Sequence, residues 1–271
     1  MIQKIFLCAS LFFIQSAYAF NPMGAVSGAT AGSGLGNNEV VDGVYLNPAT
    51  ISLFAQKSFA ASYSKNHLNV HFTDNGKDAL FPASLIYTSN DISGLKTRSY
   101  HLAFAYSFWG QLALGIDASM REISADFLPE KYNQTVVSAG LFYQNDGWGL
   151  GLVSKNKPLS NTTLTDDLDQ TATVAAGVSW IYENFAKFKA DVESAEDQKA
   201  NKVIYMFGLE TYINDWVVTR FGYRNDNVHS LNYFTAGLGF LGPQFGLNYA
   251  YQNEARSTTD PLHTIDLNIP F

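Results

Sequence analysis

Histidines and clustered acidic residues are the side chains of this chain best suited to catalysis or metal binding. The five histidines scatter among the predicted strands without a recognisable serine or acidic companion: His67, His71, His101, His229 and His263. An embedded hydrolase would need a nucleophile, a base and an orienting group that converge at one place. We therefore predict no catalytic residue, no enzyme activity and no cofactor.

Three aspartates in the longest predicted loop, Asp166, Asp167 and Asp169, are the best candidates for metal ligands. Hard cations take several carboxylate oxygens, but this spacing is not that of an EF-hand loop. A solvated acidic loop is the better interpretation, and we predict no metal site. The single cysteine, Cys8, lies in an amino-terminal apolar segment, so no thiol chemistry is expected either.

Seven charged residues occupy alternate positions of three predicted strands, so that within each strand they lie on one face. They are the largest group of polar candidates for a functional site. Their neighbours of the opposite parity are mostly apolar, as Phe188, Ala190 and Val192 illustrate. Two roles remain open, because such charges could compensate one another and hold an inner segment, or line a wet pore. The seven are Lys187, Lys189, Asp191, Glu193, Glu210, Arg220 and Arg224.

The elements that carry these residues show a period of two along nearly the whole chain. In the clearest run, Tyr100, Leu102 and Phe104 alternate with small or polar residues, as strand residues do when the two faces meet different surroundings. Fourteen candidate strands can be counted, within a range of twelve to sixteen. The alternation by itself allows either a soluble β-sandwich or a transmembrane barrel.

Connection lengths and tryptophan positions favour the barrel. Short turns alternate with longer predicted links, as in an up-and-down membrane barrel. Trp109, Trp148, Trp180 and Trp216 fall in or near the short-turn end, which is typical of an interfacial girdle. The longer links are predicted at Asn90 to Arg98, Glu122 to Asn133, Lys155 to Gln170, Ala195 to Asn201 and Asn253 to Pro261.

The chain ends and the composition predict export and an outer-membrane location. Lys4, the apolar run Ile5 to Ile14 and the small-x-small triplet Ala17-Tyr18-Ala19 indicate a signal peptide, residues 1–19, cleaved between Ala19 and Phe20. Charged residues make up only 15% of the chain, and the net charge of -7 disfavours a nucleic-acid partner.

The terminal strand, His263 to Phe271, ends on an aromatic residue. Such a strand would pair with the first to close an all-β antiparallel barrel over residues 55–271. The expected partners are outer-membrane lipid, a hydrophobic ligand, and the barrel-assembly machinery through Phe271.

Residues 20–54 are rich in glycine and alanine and poor in alternation, so they stand apart from the strands. A phosphate-binding glycine loop needs a preceding strand and a following helix, and neither is visible. The triplet Asn47-Pro48-Ala49 could simply form a turn before the first strand.

Both ends of the chain resemble one family. Met23-Gly24-Ala25, the run Ala31 to Gly36 and Asn47-Pro48-Ala49 resemble the amino-terminal hatch of FadL-type outer-membrane transporters of long-chain fatty acids and other hydrophobic compounds, and of PorV-type relatives. Phe245 to Tyr251 with His263 to Leu267 resembles that superfamily's closing hairpin. The resemblance implies a fourteen-stranded barrel plugged by the hatch, from which hydrophobic substrates leave sideways into the membrane. Asn47, Pro48 and Ala49 would then shape the passage.

Two features depart from this family pattern. The links reach at most about sixteen residues, which is short for a capture device. A wall opening also needs a broken strand, and Pro82 is the only proline within a candidate strand apart from Pro270; an ordinary strand start would explain it equally. A non-transport role, as a PorV-like scaffold or shuttle for secreted or surface proteins or as a structural protein, is therefore the alternative.

Overall fold

The computed structural model describes residues 24–54, 57–76, 79, 81–92, 94–126, 128, 130–159, 171–196, 203–255 and 260–271. The predicted signal peptide with its Ala19/Phe20 cleavage site, Cys8, and the loop aspartates Asp166, Asp167 and Asp169 lie outside these residues.

In the part of the chain that the structure describes, three short helices precede fourteen strands. The helices are α1 (Ala25–Ala29), α2 (Gly43–Leu46) and a 3₁₀ helix (Pro48–Leu53). Within the described part of the chain, no helix has the length and apolar character to cross a membrane. The strands are β1 (Ser58–Ser64), β2 (His67–Asp74), β3 (Ala83–Ile92), β4 (Leu95–Phe108), β5 (Leu112–Ser124), β6 (Tyr132–Asn145), β7 (Trp148–Pro158), β8 (Thr173–Tyr182), β9 (Ala186–Ala195), β10 (Val203–Tyr212), β11 (Val217–Asp226), β12 (Leu231–Leu241), β13 (Gly246–Glu254) and β14 (Leu262–Pro270).

The strands form one closed antiparallel barrel in which each pairs with its sequence neighbours. β1 also pairs with β14, from Ser58 opposite Pro270 to Ser64 opposite Thr264, so the sheet has no free edge. Phe271 continues this seam, because its amide donates to the Lys57 carbonyl oxygen at 2.9 Å. The predicted up-and-down barrel of about fourteen strands is confirmed.

The two faces of the wall differ as a membrane barrel requires. In β4, Tyr100, Leu102, Phe104 and Tyr106 point outward and are exposed, whereas His101, Ala103 and Ala105 between them point inward. A soluble sandwich would hide its large apolar side chains, so the sandwich interpretation is wrong. All four tryptophans lie at the Phe271 end of the barrel, where Trp148 stacks on Trp180 with ring centroids 5.6 Å apart.

The predicted link from Asn90 to Arg98 is wrong. β3 continues to Ile92 and β4 begins at Leu95, with Asp91 opposite Lys96 in the ladder. Beyond the apolar outer belt these strands carry polar residues at successive positions, as Lys96, Thr97 and Arg98 show. Because apolar and polar residues no longer alternate there, the sequence pattern predicts a loop where the structure has strand.

Pro82 does not break a strand. It lies immediately before β3, and its carbonyl oxygen accepts a hydrogen bond from the Ala105 amide at 2.9 Å. Proline is tolerated there because a first strand position can go without a ladder donor. The strand-start interpretation of Pro82 is therefore the correct one.

The described ladders contain one irregular place, between β6 and β7. Val137 pairs with Lys157 and Ala139 pairs with Ser154, so Lys155 and Asn156 together oppose Ser138. Asn156 has a φ of 56°, and its amide donates to the Ser138 hydroxyl oxygen at 3.2 Å. This β-bulge interrupts the backbone ladder of the wall at one position.

Candidate functional site

Residues 24–54, here called the luminal segment, lie inside the barrel and are mostly buried. The α1 helix packs against β11 to β14, and the 3₁₀ helix packs against β4, β5 and β6 on the opposite wall. The segment therefore crosses the lumen.

A set of inner-face glycines, here called the glycine seat, receives the luminal segment. A Cβ atom on Gly140 would overlap the Asn47 side chain, and one on Gly151 would overlap the Leu35 carbonyl group. Only residues without a side chain allow the segment's backbone to approach the wall so closely. The seat comprises Gly115, Gly140, Gly151, Gly177, Gly208, Gly222 and Gly237, from seven different strands.

The Asn47-Pro48-Ala49 triplet lies against this seat. The Asn47 side chain accepts from the Ala49 amide at 3.1 Å, which caps the 3₁₀ helix, with Pro48 in the first helical turn. The same side chain donates to the carbonyl oxygens of Leu35 at 3.2 Å and Leu141 at 3.0 Å. Asn47 therefore does more than form a turn before β1, since it also ties the segment to β6.

Two barrel aspartates anchor the luminal segment through its backbone. Asp191 accepts from the amides of Gly34 at 2.6 Å and Leu35 at 2.9 Å. Asp266 accepts from the Ala25 amide at 2.9 Å, in the first turn of α1. These hydrogen bonds fix the luminal segment to the barrel wall at Ala25 and at Gly34 and Leu35.

A further aspartate joins parts of the segment to each other. The Asp42 carboxylate accepts from the Ser27 hydroxyl at 2.7 Å and from the Ser27 amide at 3.0 Å. Burial raises the pKa of Asp42 to about 6, against which the Ser27 hydrogen bonds act.

Four of the seven predicted charges form one cluster around Glu210. Its carboxylate lies 2.6 Å from Lys189 Nζ, 3.0 Å from Arg220 Nε and 3.7 Å from Lys187 Nζ. The Lys187 ammonium also donates to the Asn37 side chain at 3.0 Å, which connects the cluster to the luminal segment. All four charges are buried, so they compensate one another rather than face bulk water.

The cluster continues to the Asp266 anchor. Arg220 Nη1 donates to the Asn248 oxygen at 2.8 Å, and the Asn248 amide group donates to Asp266 Oδ1 at 2.7 Å. Sequence reasoning missed Asn248 and Asp266, although both share the inward parity of their strands. A polar side chain on that parity was the available signal.

The remaining predicted charges, Glu193 and Arg224, lie apart from this cluster. Glu193 pairs with Lys155 at 3.0 Å and accepts from the Thr173 hydroxyl at 2.8 Å. Arg224 Nη2 lies 3.3 Å from Asp226. Both line a separate cavity.

This cavity, of about 250 Å³, lies between the luminal segment and strand residues toward the end of the barrel opposite Phe271. Val44, Tyr45 and Leu46 of the segment form its apolar part. Its polar lining includes Thr88, Ser99, His101, Asp117, Ser138, Lys155, Asn156, Glu193 and Arg224. The bulge residues Ser138 and Asn156 thus lie both in the wall and at the cavity.

His101 and Asp117 form a pair at the cavity that sequence reasoning also missed. His101 Nδ1 lies 3.1 Å from Asp117 Oδ2, across the ladder between β4 and β5. The Tyr45 ring packs edge-on against the imidazole with centroids 4.9 Å apart, and its hydroxyl donates to Asn69 at 3.1 Å. Burial raises the pKa of Tyr45 well above its usual value, so the phenol stays neutral.

The fold of this chain is similar to that of several solved structures, among them a FadL homologue. The solved structures to which the chain is similar include the CymD monoaromatic hydrocarbon channel, with a TM-score of 0.67, 13% identity and coverage of 93% of this chain and 99% of that one. The Ralstonia pickettii toluene transporter TbuX gives a TM-score of 0.66 at 14% identity, covering 93% and 100%. A Pseudomonas aeruginosa FadL homologue gives 0.64 at 8% identity, covering 93% and 99%. No protein-family model and no curated protein sequence matches the chain.

Proposed function

We propose that this protein is an outer-membrane channel through which small hydrophobic molecules pass passively. The observation that carries the proposal is a closed barrel whose lumen holds a seated segment and a small cavity. The likeness of fold to a monoaromatic hydrocarbon channel and a toluene transporter supports it, as does the outward apolar belt.

The cavity favours small substrates over long-chain fatty acids. About 250 Å³ exceeds the roughly 150 Å³ cavity that holds a benzene molecule but is below the approximately 300 Å³ at which drug-sized pockets begin. A single aromatic ring fits this space, whereas a long acyl chain requires the luminal segment to move.

The β-bulge between β6 and β7 is the proposed exit. Lateral release into the membrane needs a place where the wall's backbone ladder is interrupted, and Ser138 and Asn156 lie at that place and at the cavity. Asn47 contacts the carbonyl group of Leu141 on the same strand, so Asn47, Pro48 and Ala49 are proposed to border the route. Recognition of Phe271 by the assembly machinery and cleavage after Ala19 remain predictions.

Uptake measurements test the proposal. The protein is expressed in a Gram-negative host that lacks such channels, and the initial uptake of radiolabelled toluene and of oleate is measured. We expect toluene uptake to rise severalfold over a vector control and oleate uptake to change little. Unchanged toluene uptake, with the barrel shown to be folded by heat-modifiable gel migration, would contradict the proposal.

A further inference from the structure

The imidazole of His101 is held in one orientation from two sides. Asp117 accepts at Nδ1 over 3.1 Å, and the Tyr45 ring packs edge-on against it. A carboxylate partner keeps the proton of a neutral imidazole on Nδ1, which makes Nε2 the acceptor. His101 is partly accessible and lines the cavity, so Nε2 is the nitrogen available to a ligand.

The cations of the cavity are already engaged with acids. Lys155 Nζ lies 3.0 Å from Glu193, and Arg224 lies 3.3 Å from Asp226. An anionic ligand such as a carboxylate would have to compete with these pairs and approach Asp117 and Glu193. A neutral ligand that donates a hydrogen bond avoids this cost.

The apolar part of the cavity suits a ring. Val44, Tyr45 and Leu46 line it together with Met206, which adds apolar surface while its sulfur accepts from Arg224 Nη1 at 3.4 Å. The volume of about 250 Å³ accommodates one ring with a small substituent.

We propose that this cavity binds a single-ring aromatic compound bearing a hydroxyl group, and that the hydroxyl donates to His101 Nε2. Asp117 is a positioning residue, since it acts through His101. The proposal deepens the proposed function by naming a substrate class, and it rests on that function only for the ligand's passage, not for its binding.

Fluorine NMR with matched probes tests the binding. The purified, folded barrel is titrated with 4-fluorophenol, fluorobenzene and 4-fluorobenzoate. We expect 4-fluorophenol to bind about tenfold more tightly than either other probe, because only it donates to a well-placed acceptor. Equal affinities of 4-fluorophenol and fluorobenzene would overturn the proposal, as would preferential binding of 4-fluorobenzoate.

Three variants test whether His101 and Asp117 cause the tighter binding of 4-fluorophenol. His101→Phe should lower the affinity for 4-fluorophenol about tenfold and leave fluorobenzene within about twofold, because an aromatic ring is kept while the acceptor is removed. Asp117→Asn should weaken 4-fluorophenol binding and shift the imidazole ¹⁵N resonances of His101 away from the Nδ1-protonated form. His263→Phe, at an exposed histidine that contacts Tyr249 on β13, is the control and should change neither affinity.

The two proposals can fail separately. If the protein takes up toluene but binds 4-fluorophenol no more tightly than fluorobenzene, the proposed hydroxyl site is wrong and the proposed channel function is retained. If 4-fluorophenol binds as expected but no uptake occurs, the site stands and the passage is wrong. A His101→Phe protein that migrates as a folded barrel and keeps the preference for 4-fluorophenol overturns the site.

Discussion

At the scale of single residues, the lumen is organised by buried polar groups with assigned partners. Glu210 lies among Lys187, Lys189 and Arg220, and Asp191 and Asp266 bind backbone amides of the luminal segment. Buried charges are tolerated only when they are paired and hydrogen-bonded, so each partner becomes important to the others.

Neutralising Glu210 should therefore destabilise the barrel strongly. In Glu210→Gln, three buried cations lose their shared counter-charge, and we expect a loss of about 3–5 kcal/mol in the free energy of unfolding. Urea unfolding in lipid vesicles, followed by tryptophan fluorescence, measures it. Glu122→Gln is the matched control, because its partners Arg98 and Lys131 are exposed and the expected change is about 0–1 kcal/mol. Equal effects of the two substitutions would contradict this assignment.

The glycine seat predicts that alanine substitutions at two inward-facing glycines will differ sharply in their effect on the free energy of unfolding. In Gly151→Ala the new methyl group would overlap the Leu35 carbonyl group, whereas in Gly246→Ala the nearest atom is 3.6 Å away. We expect the first to cost about 1–3 kcal/mol through overpacking and the second to be almost neutral.

The accessibility of the luminal segment to a labelling reagent tests, independently of global stability, whether the glycine seat holds the segment. A Ser33→Cys side chain should react faster with a polar maleimide in Gly151→Ala than in Gly246→Ala. Similar labelling rates in both variants would show that the seat does not hold the segment.

The residues that sequence analysis missed share a physical cause. Parity places Asp117, Asn248 and Asp266 on the inner face, but alternation says nothing about which neighbour lies opposite, because that depends on strand register. His101 and Asp117 lie sixteen residues apart and meet only because β4 and β5 pair. The alternation of apolar and polar residues therefore cannot predict which of these side chains lie within hydrogen-bonding distance of one another.

At the scale of elements, the sequence predicts the number and order of the strands much more completely than it predicts the strand ends and the position of the bulge. Period-two alternation located all fourteen strands, since large apolar side chains point outward and smaller or polar ones point into the lumen. It failed at Asn90 to Arg98, where polar residues follow one another along the strands. It also could not locate the bulge opposite Ser138, because Lys155, Asn156 and Lys157 are all polar and show no alternation.

If the bulge is the exit, restraining it should slow passage. The pair Ser138→Cys with Asn156→Cys is oxidised across the bulge, and toluene uptake is measured before and after reduction. We expect a severalfold lower rate that the reductant restores. The control pair Leu141→Cys with Leu152→Cys joins directly opposed residues of the regular ladder in the same two strands. Equal inhibition by both cross-links would contradict an exit at the bulge.

At the scale of the whole molecule, the luminal segment determines whether the barrel is closed. Eight-stranded barrels are filled by their own side chains and barrels of sixteen strands or more hold aqueous channels, so fourteen strands enclose space that something must fill. Here residues 24–54 fill it, with the small cavity left on one side.

Deleting residues 24–53 should convert the barrel into an open pore. In planar bilayers we expect steady ionic conductance from the deletion variant and little from the complete protein, because the lumen then fills with water. A synthetic peptide of residues 24–54 should reduce that conductance, while a scrambled peptide should not. A deletion variant that folds but conducts no better than the complete protein would show that something other than the segment closes the lumen.

The hydrogen bond between Ala25 and Asp266 spans 241 residues of sequence, and this separation has a consequence for the order of assembly. The segment is synthesised first, yet its anchors on β9 and β14 exist only after most of the wall has formed. Contacts between distant parts of a chain form slowly, since a long loop must close before they contribute. Asp266 also lies opposite Ser62 of β1, so the segment should acquire this anchor late in assembly, together with or after the pairing of β14 with β1.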